Sequence, residues 1–156
     1  MARDIKMIWD KNFFEGDLQL NQGDLLREEG LETAVYISLF TDKRADDEDQ
    51  IDNINDKRGW WGDNTTENNY KMGSKLWQYE RAKTTANDIT KIKETIEESL
   101  QWMIEEEVAK KIEVTAERFG NIGNDRLAIT IVIKKSDGNE TAIKFDDLWN
   151  VQLGGI

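Results

Sequence analysis

The period of the hydrophobic pattern changes near residue 105, and this change constrains the fold more than any other feature. Before it, Ile89, Ile92, Ile96, Ser99, Leu100 and Met103 recur at three- and four-residue steps, flanked by Trp102 and Ile104. Glu94, Glu97, Glu98, Glu105, Glu106 and Glu107 fall mainly outside that stripe, with Lys91 and Lys93 interspersed. The spacing predicts an amphipathic helix of about 20 residues beginning near Thr84 or Thr85. Thr85, with Asp88 three residues on, has the form of an N-cap with a carboxylate in the first turn. After residue 105 the apolar residues alternate instead. Ile112–Ala116 and, most strongly, Leu127–Ile133 read as strands. Ser136-Asp137-Gly138-Asn139 supplies a turn, because Asp-Gly tolerates positive φ, and Thr141–Phe145 returns as the partner strand. Trp149, Val151 and Leu153 are expected to dock as an end strand, with Gly154 and Gly155 frayed.

The first third carries the same two signals in the opposite order. Ile5–Trp9 reads as extended, and Asp17–Asn21 alternates with period two between Gly16 and Gly23. A hairpin or a pair of short strands is expected. Leu31, Ala34, Val35, Ser38 and Leu39 then recur at helical spacing, and Tyr36, Ile37 and Phe40 widen the apolar face. This is a helix over about 31–41, buried on most sides. A further helix is predicted from Gly73 to Arg81, with Leu76, Trp77 and Glu80 near one face. Strands, then helices, then strands predict an α+β domain: an antiparallel or mixed sheet packed against two or three helices, one of them long and amphipathic. The length of 156 residues suits a single domain spanning 1–156.

Composition narrows the function classes. The chain has no Cys, His or Pro. That removes disulfides, thiolate nucleophiles, zinc ribbons and His-dependent catalysis or metal ligation. Its net charge of −11 opposes non-specific nucleic-acid binding, and the longest cationic features are only Lys110-Lys111 and Lys134-Lys135. No apolar run is long enough for a membrane span, and the first residues do not form a signal peptide, so synthesis and folding in the cytosol are expected. The glycines form neither a P-loop nor a dinucleotide fingerprint, and none of the serines at 38, 74, 99 and 136 sits in a nucleophile elbow. Catalysis by two carboxylates remains chemically available, but sequence marks no particular pair. Neither a catalytic residue nor a cofactor is expected.

Ala45–Asn53 is expected to be a solvated acidic loop. A calcium loop begun at Asp47 puts Asp49 at position three, but it places Ile51 at five, Asp52 where Gly is needed and Arg58 where Glu is needed. No metal site is expected there.

The most unusual cluster is Arg58-Gly59-Trp60-Trp61-Gly62-Asp63, followed by Gly73-Ser74-Lys75-Leu76-Trp77. Three of the six Trp fall in this stretch, most of which looks like loop. Two readings are open. The rings cap the core, with the glycines giving the backbone room to turn, or they anchor a protein interface.

In this order, with a helix ending at Thr41-Asp42-Lys43-Arg44, an acidic loop and a Val/Ile hairpin after a long helix, the chain resembles the Mu-like phage and prophage baseplate wedge family. It is distantly similar to the small lysozyme-associated wedge proteins of other contractile tails, although it lacks their glutamate–proline–arginine signature. The resemblance implies a non-enzymatic structural protein of a phage, prophage or contractile-bacteriocin baseplate. It would join larger wedge proteins around the hub and spike, support the first ring of sheath subunits, and bind neither nucleic acid nor membrane. Its location would be the host cytoplasm during assembly and then the particle's baseplate, in a ring. Arg58, Trp60, Trp61 and Asp63 would order the central loop, with Gly59 and Gly62 in it and Trp77 packed against it. Ile5–Trp9 and Thr141–Phe145 are the candidate sheet edges for a neighbour's extended arm. The rival readings are a carboxylate-dependent cell-wall hydrolase and an acidic mimic of nucleic acid.

Overall fold

The computed structural model describes residues 4–5, 7–10, 15–18, 20–22, 24–25, 27–28, 31–51, 53–60, 62, 73–79, 86–120, 126–146 and 148. The predicted positions Trp61, Asp63, Thr84, Thr85, Trp149, Val151 and Leu153 lie outside them.

The chain opens with three short antiparallel pairings. Strand β2 (Met7–Asp10) forms a hairpin with β3 (Glu15–Leu18), and β4 (Leu20–Asn21) turns back on β5 (Asp24–Leu25). Around both, β1 (Asp4–Ile5) pairs with β6 (Arg27–Glu28). The expected opening hairpin is present. Gly16, read from sequence as a turn residue, instead lies inside β3 opposite Trp9. Asp17–Asn21 is divided between two strands that pair with different partners. Alternation reports which residues are extended, and it carries no information about where pairing changes.

Helix α1 (Glu32–Phe40) follows, then the central loops, then α2 (Ala86–Glu105), which is 20 residues long. Past α2 the backbone N–H of Glu107 bonds the Ile104 carbonyl, Glu107 takes a φ of +58°, and the Ala109 N–H returns to the Met103 carbonyl. That sharp stop feeds β7 (Lys111–Phe119), which pairs with β8 (Arg126–Lys134), and β8 pairs with β9 (Glu140–Phe145). The result is an antiparallel three-stranded sheet with β8 in the centre.

The register puts Val114, Ile131 and Ile143 in one row, and Ala116, Ile129 and Phe145 in the next. This face is covered by Ile92, Ile96, Leu100 and Met103 of α2 and by Val35 and Leu39 of α1, all essentially inaccessible to water. Tyr36 and Phe40 meet Phe145 edge-on, each with ring centroids 5.7 Å apart. The opposite face carries Glu113, Thr115 and Glu117 of β7 beside Thr130 and Val132 of β8, so the sheet is buried on one side only. Trp102 reaches across from α2, and its indole N–H donates to Ser38 Oγ at 3.0 Å. The fold is therefore the expected α+β class.

Candidate functional site

The central loops are fastened to the end of α1. Thr41 leaves the helix in an extended conformation. Asp42 then forms a parallel bridge with Ser74: the Ser74 N–H donates to the Thr41 carbonyl at 2.9 Å and the Lys43 N–H to the Ser74 carbonyl at 3.0 Å. Gly73 makes that approach possible. Its φ is +101°, and a Cβ there would lie 2.1 Å from the Thr41 carbonyl oxygen. The buried Ser74 hydroxyl donates to the Leu39 carbonyl at 2.5 Å. Of the helix predicted from Gly73, Gly73–Lys75 are not helical and Leu76–Tyr79 form a 3-10 turn, while Glu80 and Arg81 lie outside the described residues. The bridge holds Ser74 in place, Leu76 of the turn is buried in the core and Tyr79 packs against it.

On this base sits the predicted cluster. Trp77 donates its indole N–H to the Lys43 carbonyl at 2.8 Å. The Arg58 guanidinium lies 4.6 Å from the Trp77 ring centroid and bonds Asp42 Oδ2 at 3.1 Å. Arg58 thus bridges an aromatic face and a carboxylate, which the planar guanidinium does better than an ammonium. Its backbone is left-handed (φ +52°), and Gly59 continues with φ +114°, where a Cβ would lie 3.0 Å from the Arg44 Cβ. Two successive positive-φ residues turn the chain tightly here. The Trp60 ring then lies directly over buried Gly62: a Cβ at Gly62 would fall 2.1–2.5 Å from the ring's outer carbons. The structure therefore gathers Arg58, Gly59 and Trp77 with Asp42, Lys43 and Arg44, and stacks Trp60 on Gly62. Trp61 and Asp63 lie outside the described residues.

The acidic loop differs from its sequence reading. It is held in place, not merely solvated. Its base is closed by the Ala45 N–H donating to the Lys57 carbonyl at 2.9 Å, with Ala45 buried. Lys75 Nζ meets Asp46 Oδ2 at 2.6 Å and Asp49 Oδ2 at 2.7 Å, Gln78 Nε2 donates to Asp49 Oδ2 at 3.1 Å, and Lys57 pairs with Asp47. Burial would push the Asp49 pKa up. Hydrogen bonds from Lys75, Gln78 and the Asp46 N–H outweigh that and hold it below the usual aspartate value. For Lys75, burial pulls downward, but Asp46 and Asp49 together raise the ammonium above the usual lysine value. A hydrogen bond from Lys57 lowers the Asp47 pKa. Lys75 was invisible as a partner because it lies 29 residues beyond Asp46. The only sequence signal was opposite charge in a family-like Gly-Ser-Lys stretch.

Among the described residues no group of three or more acidic side chains is placed to hold a metal ion. No helix is long and apolar enough to cross a membrane, also among the described residues. The arrangement is a loop scaffold on a small α+β domain: backbone bridge, stacked indole and ion pairs fix two loops against α1.

The chain belongs to a phage protein family. The family model described as Phage protein GP46 matches residues 31–140, from just before α1 to the first residue of β9. The chain is 33% identical over 148 residues to the Baseplate protein gp46 of Escherichia phage Mu, covering 94% of this chain and 97% of that one. It is 32% identical to the Mu-like prophage FluMu protein gp46 of Haemophilus influenzae, covering 95% and 98%. The resemblance to Mu-like phage and prophage proteins is thereby upheld, over nearly the whole chain.

Proposed function

We propose that the chain is a non-enzymatic structural component of a phage-type baseplate. In this reading it joins larger wedge proteins around the hub and spike and supports the first ring of sheath subunits. The carrying observation is the near full-length match to a protein named as a baseplate protein, with 97% of that relative covered. A match of that extent leaves little room for a different architecture around the shared core. The scaffold of Arg58, Gly59, Trp60, Trp61, Gly62, Asp63 and Trp77 serves to hold the central loops in one shape for these contacts. Preformed loops lose less entropy when they bind. Assembly would proceed in the host cytoplasm, and the subunit would end in the particle's baseplate.

The rival hydrolase reading needs a carboxyl group kept protonated near neutral pH. Among the residues whose side chains are described no carboxylate is buried, and the three with a resolved displacement, Asp47, Asp49 and Glu113, all move downward. Zymography on peptidoglycan tests it: a cleared band that disappears on mutating one acid would overturn the structural role. The direct test of the proposal is a deletion in the prophage or phage that encodes the chain. Electron microscopy should show particles without complete baseplates and sheathed tails, restored by the gene in trans. Complete sheathed tails in the deletion strain would sink the proposal.

A further inference from the structure

The scaffold points one apolar side chain outward. Among the residues whose side chains are described, three large apolar ones are exposed: Ile37 at 36%, Phe119 at 51% and Ile54 at 75%. Ile54 sits in the turn that precedes Lys57, in the loop fastened by Lys57 and Lys75. Its turn is built from Asn53 to Asp56: the Asp56 N–H donates to the Asn53 carbonyl at 3.0 Å, and the Asn55 N–H to Asn53 Oδ1 at 3.1 Å. Asp56 Oδ1 in turn accepts the Arg58 N–H at 3.3 Å, tying the turn to the scaffold. Ile54 is therefore the outward corner of a hydrogen-bonded turn on a loop whose base is closed. Compact loops of this closed-end type are frequently functional.

The loop's charge specifies the surroundings of a matching surface. Residues 46–56 contain Asp46, Asp47, Glu48, Asp49, Asp52 and Asp56 and no Lys or Arg. Lys57 and Lys75 pair with Asp46, Asp47 and Asp49, whereas Glu48 and Asp56 have no ion pair among the described residues. The turn thus presents an exposed isoleucine among acidic residues. A second copy of this chain, at net charge −11, is a poor complement.

From this geometry we infer that Ile54 is an apolar anchor for a socket rimmed by Lys or Arg on a neighbouring baseplate protein. The inference rests on the baseplate reading for the identity of the neighbour, and on the loop itself for the site. The indole cluster, facing inward onto Lys43 and Gly62, is the fastening, and the acidic loop is the contact.

The chain has no Cys, so Ile54→Cys gives a unique labelling position. The full-length chain carrying an environment-sensitive maleimide dye at residue 54 is titrated with the purified product of each adjacent tail gene. One of these partners should shift the dye emission to the blue. Ile54→Asp, with an unchanged melting temperature, should weaken that complex by about 10-fold or more, as loss of a central apolar anchor does. Glu48→Gln should slow association and reduce its salt dependence. If wild-type chain binds one of these partners but Ile54→Asp binds equally well, or the dye stays in water, the anchor is wrong and the baseplate reading stands. If wild-type chain binds none of them, both fall. If Ile54→Asp instead dissolves a self-dimer seen by sedimentation, the assigned partner is wrong.

Discussion

Gly73 and Gly138 both hold a positive φ, +101° and +88°, but only Gly73 is pressed against backbone. A Cβ at Gly138 meets nothing within 4 Å, whereas one at Gly73 would lie 2.1 Å from the Thr41 oxygen. Gly138→Ala should therefore cost about 1 kcal/mol, the conformational term alone. Gly73→Ala should cost about 3 kcal/mol or more, because the Asp42–Ser74 bridge must open as well. Chemical denaturation of the two variants checks the ordering, and equal losses would contradict it. Trp77→Phe keeps an aromatic face under Arg58 but leaves the Lys43 carbonyl without its donor. A loss of about 1–2 kcal/mol is expected, measured the same way. The Trp60–Gly62 contact is not legible in the sequence, which shows the glycines only as giving the backbone room to turn.

At the scale of elements, the loop clamp titrates in two separate windows. Asp49 has a lower pKa folded than its ordinary 3.8, so its contribution to stability is present above that value and is lost as pH falls below it. Lys75 is raised above 10.5, so its contribution holds below that value and is lost as pH climbs past it. Between about pH 5 and 9 the clamp should be flat. Lys75→Met should lower stability across that plateau by about 1–2 kcal/mol, since Asp46 and Asp49 are left facing each other. It should also flatten both limbs of the profile. Thermal melts from pH 3 to 11 would show this, and an unchanged acid limb would remove Asp49 as its source. In α2, Ile96 is fully buried between the two helices and the sheet. Ile96→Ala should cost about 2–5 kcal/mol, whereas Glu97→Ala on the exposed face should stay within about 0.5 kcal/mol. The end of α2 also has slack: Glu107→Gly removes the strain of its φ of +58° and should stabilise by a few tenths of a kcal/mol to about 1 kcal/mol.

For the whole molecule, a sheet covered on one face and a net charge of −11 describe a subunit with much of its polar surface left for neighbours. Contacts made through the acidic loop and the Glu-rich face of α2 should weaken with salt. Reconstituted complexes should lose affinity as ionic strength rises past the range where screening reaches about 10 Å. Sedimentation at two salt concentrations measures it, and salt-independent binding would point to a mainly apolar contact instead. The candidate edges are alike in their pairing: among the described residues β1, β2 and β9 each have a strand on one side only, β6, β3 and β8 respectively.

By itself the sequence determined the elements whose signal is periodic and local. The stripe from Ile89 to Met103 fixed α2, and the alternation from Leu127 to Ile133 with Asp137-Gly138 fixed the β8–β9 hairpin. Together they fixed the α+β class, because helix and strand periods are properties of neighbouring residues. The Trp-rich motif contributes Arg58 and Trp77 to a cluster with Asp42 and Lys43. Only the tertiary structure decided what that motif does geometrically. Arg58 finds Asp42 across 16 residues, Trp77 finds the Lys43 carbonyl across 34, and Lys75 finds Asp46 across 29. It also moved the start of the predicted 73–81 helix to Leu76, since Ser74 is held by a bridge to Asp42. Such pairings depend on where α1 ends in space and how far two loops can return to it. Composition and period contain neither quantity.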